Sequence, residues 1–212
     1  MMRSTEDLID SLASEAKPAP LPASPARLFM RWVTVSLIYA GMWLLHFGLR
    51  QDLMEKLHAP MFVTELALLA GVMISAGFSA ALLSFPDMHQ KARLALAPLL
   101  PLSLLIALLF LAWRGDQPPA PQPAHGIECL LCIALFAVLP AGWLLYCLRK
   151  QASTHAALAG SAALLAAASA GCLALRLSEQ ADSALHLIAW HYLPLLGFAL
   201  LGGWIGAKCF RW

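Results

Sequence analysis

Apolar residues in this chain come in long blocks, and polar residues fill short gaps between them. Six blocks run to about 20 residues or more, at roughly 28–49, 60–85, 93–113, 127–148, 155–177 and 188–210. A helix rises ~1.5 Å per residue, so each block is long enough to cross the ~30 Å hydrocarbon core of a bilayer. The pattern predicts an all-α fold: a polytopic membrane protein built as a six-transmembrane-helix bundle over 28–212, preceded by a cytoplasmic tail over 1–27. The block at 155–177 is nearly all Ala, Gly, Ser and Leu. Small side chains let helices approach closely in lipid, where no hydrophobic effect drives them together. That block is the expected centre of the bundle. Pro98, Pro101, Pro140 and Pro194 fall inside blocks, where membrane helices tolerate proline as a kink. No internal repeat is visible, which weighs against an inverted-repeat transporter.

The tail has a different pattern. It is polar and acidic where a signal peptide would begin with a short basic region. Ser4 with Asp7 resembles a capping box, Asp standing in for the usual Glu or Gln. Leu8, Ile9 and Leu12 then share one helical face, with Glu6, Asp7, Asp10 and Glu15 mostly around it. A helix of about a dozen residues is marginal alone in water and gains most by laying its apolar stripe in a partner's groove. Residues 17–25 hold four prolines, a semi-rigid spacer between that helix and the first block. The tail reads either as an acidic bait helix on a tether, suited to a basic partner surface, or as a solvated acidic tail that binds nothing.

Composition agrees with the membrane class. Of the 212 residues, 60 % are hydrophobic and 12 % charged, where soluble domains carry about a quarter charged. A net charge of +2 gives no reason to expect direct nucleic-acid binding. Lys and Arg set the orientation. With the N-terminus inside, the cytoplasmic set is Arg3, Lys17, Arg27, Arg31, Lys91, Arg93, Arg149, Lys150, Lys208 and Arg211, and the outer set is Arg50, Lys56, Arg114 and Arg176. Both termini are therefore expected in the cytoplasm. The cytoplasmic segments are all too short to fold as a domain.

Candidate chemistry gathers toward the outer side. Cys129 and Cys132 form a C-x-x-C, with His125 one helical turn earlier. Counted up from the inner turn, Cys132 and Cys172 lie at about 24 Å and about 26 Å on adjacent antiparallel helices. Cys129 is a turn higher. Cys147 and Cys209 lie near the cytoplasmic face, where disulfides do not persist. His46, His58, His125, His186 and His191 fall at or near the outer face. Thiolate and imidazole suit zinc or copper, and both must be deprotonated to bind, so His125 with Cys129 is a candidate metal pair. No resident cofactor is expected. The plain alternatives are cysteines acting as small hydrophobes and interfacial histidines bonded to water. Glu65 is a carboxylate inside a block; such a charge is costly and needs a role or a partner. Snorkelling, or pairing with Arg50 or Arg176, accounts for it.

Taken together, "EDLIDSLASEA" ahead of six blocks, "HGIEC" opening the fourth, Leu139–Pro140 within it, "LRK" at its inner end and the closing "WHYLPLLGFALLGGWIGAKCFRW" resemble the NrsF family of bacterial inner-membrane anti-sigma factors. The resemblance spans essentially the whole chain. It implies that the short N-terminal helix, through Asp7, Leu8, Ile9, Asp10 and Leu12, contacts an extracytoplasmic-function sigma factor together with the inner loops. It also implies that two outward-side cysteines take part in sensing. Cys129 matches one. The other is expected just after the fifth block, where this chain has Ser178. Any disulfide would then join Cys129 or Cys132 to Cys172, or bridge two chains. Glu65 also departs from the basic residue expected there. The expected function is a regulator and not an enzyme: it holds the sigma factor at the inner membrane and releases it on an outer-side stress signal, either thiol oxidation or a metal. The rivals are a quinone-linked thiol oxidoreductase, which wants a second cysteine pair, and a small-solute or metal transporter, which wants mid-membrane polar residues that the block centres lack.

Overall fold

The structure is a computed structural model that describes residues 5–15, 24–85, 93–115, 126–151 and 153–209. Its helices are α1 (Thr5–Glu15), α2 (Pro25–Phe47), the one-turn α3 (Leu53–Lys56), α4 (Pro60–Leu83), α5 (Leu99–Gly115), α6 (Gly126–Arg149), α7 (Ala156–Ser178) and α8 (Ala184–Cys209). Six helical spans are long and apolar enough to cross a membrane, and each coincides with one of the six blocks.

Local chemistry sets the boundaries. The hydroxyl of Ser24 accepts the Arg27 N–H at 3.3 Å, and Pro25 supplies the fixed φ of a first helical turn, so α2 starts there. It stops at Gly48, whose φ of +84° suits glycine and whose N–H closes back on the Leu44 carbonyl at 2.9 Å. The third block departs from its expected form. Residues 93–96 form a 3₁₀ turn, and the α-helix begins only at Leu99. Pro98 explains this, because it lacks an N–H and pushes Ala97 out of the α region. In α8 the six residues Leu187–Tyr192 are wound as a π-helix. Pro194 cannot donate to the carbonyl of Trp190, and the wider register lies immediately before it. Such π segments gather at functional sites.

The small-residue helix is central, as expected. In α7, 83 % of the central window is buried, against 17 % in α2. Its tightest neighbour is α8, which carries Gly202-x-x-x-Gly206. A Cβ on Gly202 would overlap the Gly160 carbonyl, and one on Gly206 the Ala156 carbonyl. Only bare backbone on both sides permits that approach. Trp32 of α2 is fully buried; its indole N–H donates to the Pro140 carbonyl at 3.2 Å. Leu45, Leu100, Leu131 and Leu200 point outward and are exposed. Lipid would cover such a surface.

Two cross-links orient the bundle ends. Ser153 Oγ donates to the Leu83 carbonyl at 2.6 Å at one end. At the other, the Arg50 N–H donates to the Leu177 carbonyl at 2.9 Å. This second end, called the Cys129 end below, gathers the segment 48–59, the connector 179–183 and the starts of α4, α6 and α8.

Candidate functional site

Two polar clusters sit side by side at the Cys129 end, and the connector after α7 contributes to both. The first is an ion-pair network. Arg176, in the last turn of α7, is 1 % exposed, and Glu65 of α4 is 6 % exposed. The guanidinium donates from Nε to Glu65 Oε1 at 2.8 Å and from Nη2 to Oε2 at 3.0 Å. Its Nη1 donates to the Ala181 carbonyl at 2.7 Å, and the Tyr192 hydroxyl donates to Glu65. Glu65 is thus paired rather than snorkelling, and Arg176 is its partner. Arg50 does not reach it. Arg50 instead forks onto Asp52 at 2.7 and 2.8 Å and onto Asp182 at 2.9 and 3.2 Å. Lys56 Nζ meets Asp182 at 2.6 Å. Both guanidinium groups lie against the Phe62 ring, at 5.1 and 5.2 Å from its centroid. Three cations face three carboxylates, so the network is neutral. Burial pushes the Asp182 carboxyl up, but the bonds from Arg50 and Lys56 outweigh it and hold the group below the usual range.

The second cluster is built from three separate stretches. Cys129 sits in the first turn of α6, 4 % exposed. Glu179 follows the last residue of α7. His186 and His191 bracket the start of the π segment of α8. Cys129 Sγ lies 3.3 and 3.5 Å from the two oxygens of Glu179 and 3.5 Å from His186 Nε2. Glu179 also approaches His186 Nε2 at 3.8 Å and His191 Nε2 at 3.3 Å. One donor atom from each of the four residues lies within 4.8 Å of all the others. His191 is fully buried, with Nε2 3.3 Å from Glu179 Oε2. Neither of its ring nitrogens has a hydrogen-bond partner among the described residues. Burial pushes the Glu179 carboxyl up, but the facing His191, Cys129 and His186 outweigh it, and the group stays a carboxylate below its usual range.

Of the residues singled out by sequence, Cys129, His186 and His191 lie in this cluster. Cys172 is buried in α7 and Cys132 is half-buried beside the core; among the described residues no disulfide is formed. His125 lies outside the described residues, as do Ser4 and the side chain of Leu8. Ile9 and Leu12 stand on α1 at 58 % and 59 % exposed, with Asp7 and Asp10 on the same helix also exposed. Ser178 turns its hydroxyl back onto the Ala174 and Leu175 carbonyls at 3.3 and 3.1 Å. The next residue, Glu179, is the one that reaches Cys129. Glu179, Asp182 and the inward aim of His191 were not legible from spacing. The outward-side histidine pool was the one available signal.

The fold and the site together define an all-helical protein, with six helices long and apolar enough to cross a membrane and a pair of polar clusters at one end of the apolar bundle. The family pattern described as "Negative regulator of sigma F", NrsF, matches residues 12–212, and the chain belongs to that family. It is 30 % identical over 217 residues to the "Anti-sigma-F factor NrsF" of Caulobacter vibrioides (strain NA1000 / CB15N), an alignment covering 98 % of this chain and 99 % of that protein. No solved structure matches. The family is one of regulators and not of enzymes, so the oxidoreductase alternative falls away.

Proposed function

We propose that this chain holds an extracytoplasmic-function sigma factor at the bacterial inner membrane and releases it when a chemical event reaches the Cys129 end from outside. The near full-length match to an anti-sigma factor carries this reading. The residues support it in detail. On α1 an apolar pair, Ile9 and Leu12, is exposed among acidic side chains. Such a stripe suits the groove of a basic partner, where electrostatics set on-rate and specificity more than affinity. Both termini lie in the cytoplasm by the excess of Lys and Arg there, which puts α1 on the sigma factor's side. Cys129 then faces outward, about one helix length (~36 Å for 24 residues) from the inner surface.

The release step needs two packing arrangements of the helices. A signal shifts their ratio only as far as its affinity differs between them, tenfold for each ~1.4 kcal/mol. The test is co-purification of the sigma factor with membranes carrying the Leu8→Asp/Leu12→Asp variant. Retention should fall by at least tenfold. Undiminished retention takes the tail out of the mechanism.

A further inference from the structure

We propose that Cys129, Glu179, His186 and His191 form a four-ligand site for a zinc-class divalent cation. The proposal names the ligand for the outer-side event above. It depends on that reading for its regulatory consequence, not for its existence.

The donor set and its spacing carry the argument. Zinc binds thiolate sulfur, imidazole nitrogen and carboxylate oxygen at about 2.0–2.3 Å, nearly always tetrahedrally, which puts neighbouring donors about 3.3–3.8 Å apart. Here the sulfur stands 3.3 Å from a Glu179 oxygen and 3.5 Å from His186 Nε2. Glu179 stands 3.8 Å from His186 and 3.3 Å from His191. These four donor pairs already sit at tetrahedral-edge distances, and the whole set lies within 4.8 Å, so loading asks for a contraction of about 1 Å at the remaining edges. One oxygen-bearing side chain among four is too few for calcium or magnesium, whereas sulfur with two imidazoles suits the zinc class.

Charge and satisfaction point the same way. Glu179 is ionised. On loading, the Cys129 S–H bond breaks, its proton leaves to solvent and a sulfur–metal bond forms. Thiolate and carboxylate then cancel the two positive charges, leaving a neutral site in a low-dielectric setting. His191 supplies independent support. It is fully buried with both ring nitrogens lacking a hydrogen-bond partner among the described residues. Such a group costs stability unless something binds it. The π segment of α8, Leu187–Tyr192, sits between the two histidines and brings both to one centre.

Four protein ligands leave no open position, which is the form of a structural rather than a catalytic zinc site. A bound ion would tie α6, the connector after α7 and α8 to one point.

The test is a Co²⁺ titration of the full-length protein, reduced and in detergent, with Zn²⁺ as competitor. One Co²⁺ per chain should bind, with strong tetrahedral d–d bands and a near-ultraviolet thiolate charge-transfer band, and Zn²⁺ should displace it. Cys129→Ser should lose the charge-transfer band, and Glu179→Gln and His191→Ala should weaken binding at least tenfold. Cys132→Ser and Cys172→Ser should leave binding unchanged. Any variant that is not monodisperse by gel filtration is replaced by the next ligand in the set. No saturable binding, weak octahedral bands, or a charge-transfer band that survives Cys129→Ser would overturn the site. Sigma-factor co-purification is scored separately, so a bound metal without a sigma factor removes the anti-sigma reading and leaves the site standing.

Discussion

The two polar clusters at the Cys129 end are neighbours, yet they are finished to different degrees. In the Arg176 network every charge has an opposite within hydrogen-bonding reach, and Glu65 alone accepts from Arg176 twice and from Tyr192. In the Cys129 cluster a thiol, a carboxylate and two imidazoles converge, and the buried His191 faces Glu179 with Nε2 while its Nδ1 has no hydrogen-bond partner among the described residues. The first has the form of a structural clamp, and the second is the place of the proposed cation. The clamp also serves the site. Arg176 and Arg50 hold Ala181 and Asp182, and so fix the path of the connector that presents Glu179.

The comparison can be broken most sharply at Arg176. Arg176→Met leaves Glu65 buried without its cation and should cost about 3–5 kcal/mol in thermal or denaturant unfolding. The double change Glu65→Leu/Arg176→Met should recover most of that loss, because the uncompensated charge goes with it. If the single variant is as stable as the parent, the clamp is not holding the connector.

A somewhat smaller effect is expected from metal. Zn²⁺ at 100 times its Kd should stabilise the native protein by about 2.7 kcal/mol, seen as a rise in Tm for the parent and none for Cys129→Ser. An equal rise in both would place the ion elsewhere.

Acid should act on both clusters, more gently. Glu179 and Asp182 have folded-state values below their unfolded ones. The stability they lend is therefore whole above the ordinary carboxylate range near ~4, and is lost as pH falls through the lower folded values. Tm should not change through these two groups between pH 6 and 8, and Asp182→Asn should shrink the fall below pH 4. Metal affinity, by contrast, should weaken already from pH 7 to 5, as protons compete for thiolate and imidazole.

The smallest effect is predicted at His191. His191→Leu removes a buried ring nitrogen without a partner but also the imidazole facing Glu179 at 3.3 Å, so the two effects oppose and the metal-free protein should lose no more than about 1 kcal/mol. A loss as large as that of Arg176→Met would show that His191 belongs to the clamp.

Sequence alone determined the six spans, the central place of the Ala- and Gly-rich helix, and the family, and it singled out Cys129 as a candidate. These follow from length, local composition and residue order, which are properties of contiguous chain. It also offered Arg50 and Arg176 as partners of Glu65 beside snorkelling, since a charge inside an apolar block is costly. Tertiary structure decided which arginine, because Arg176 and Glu65 are 111 residues apart and meet only when α4 packs on α7. It decided that Glu179, and not Ser178 or Cys172, faces Cys129, since one residue past a helix end rotates a side chain to a new direction. It also brought His186 and His191 to one centre through a π register that no periodicity announces. Of the C-x-x-C, only Cys129 reaches the cluster; Cys132, three residues on, points elsewhere, because the fold gathers this site from three elements rather than from one helix face.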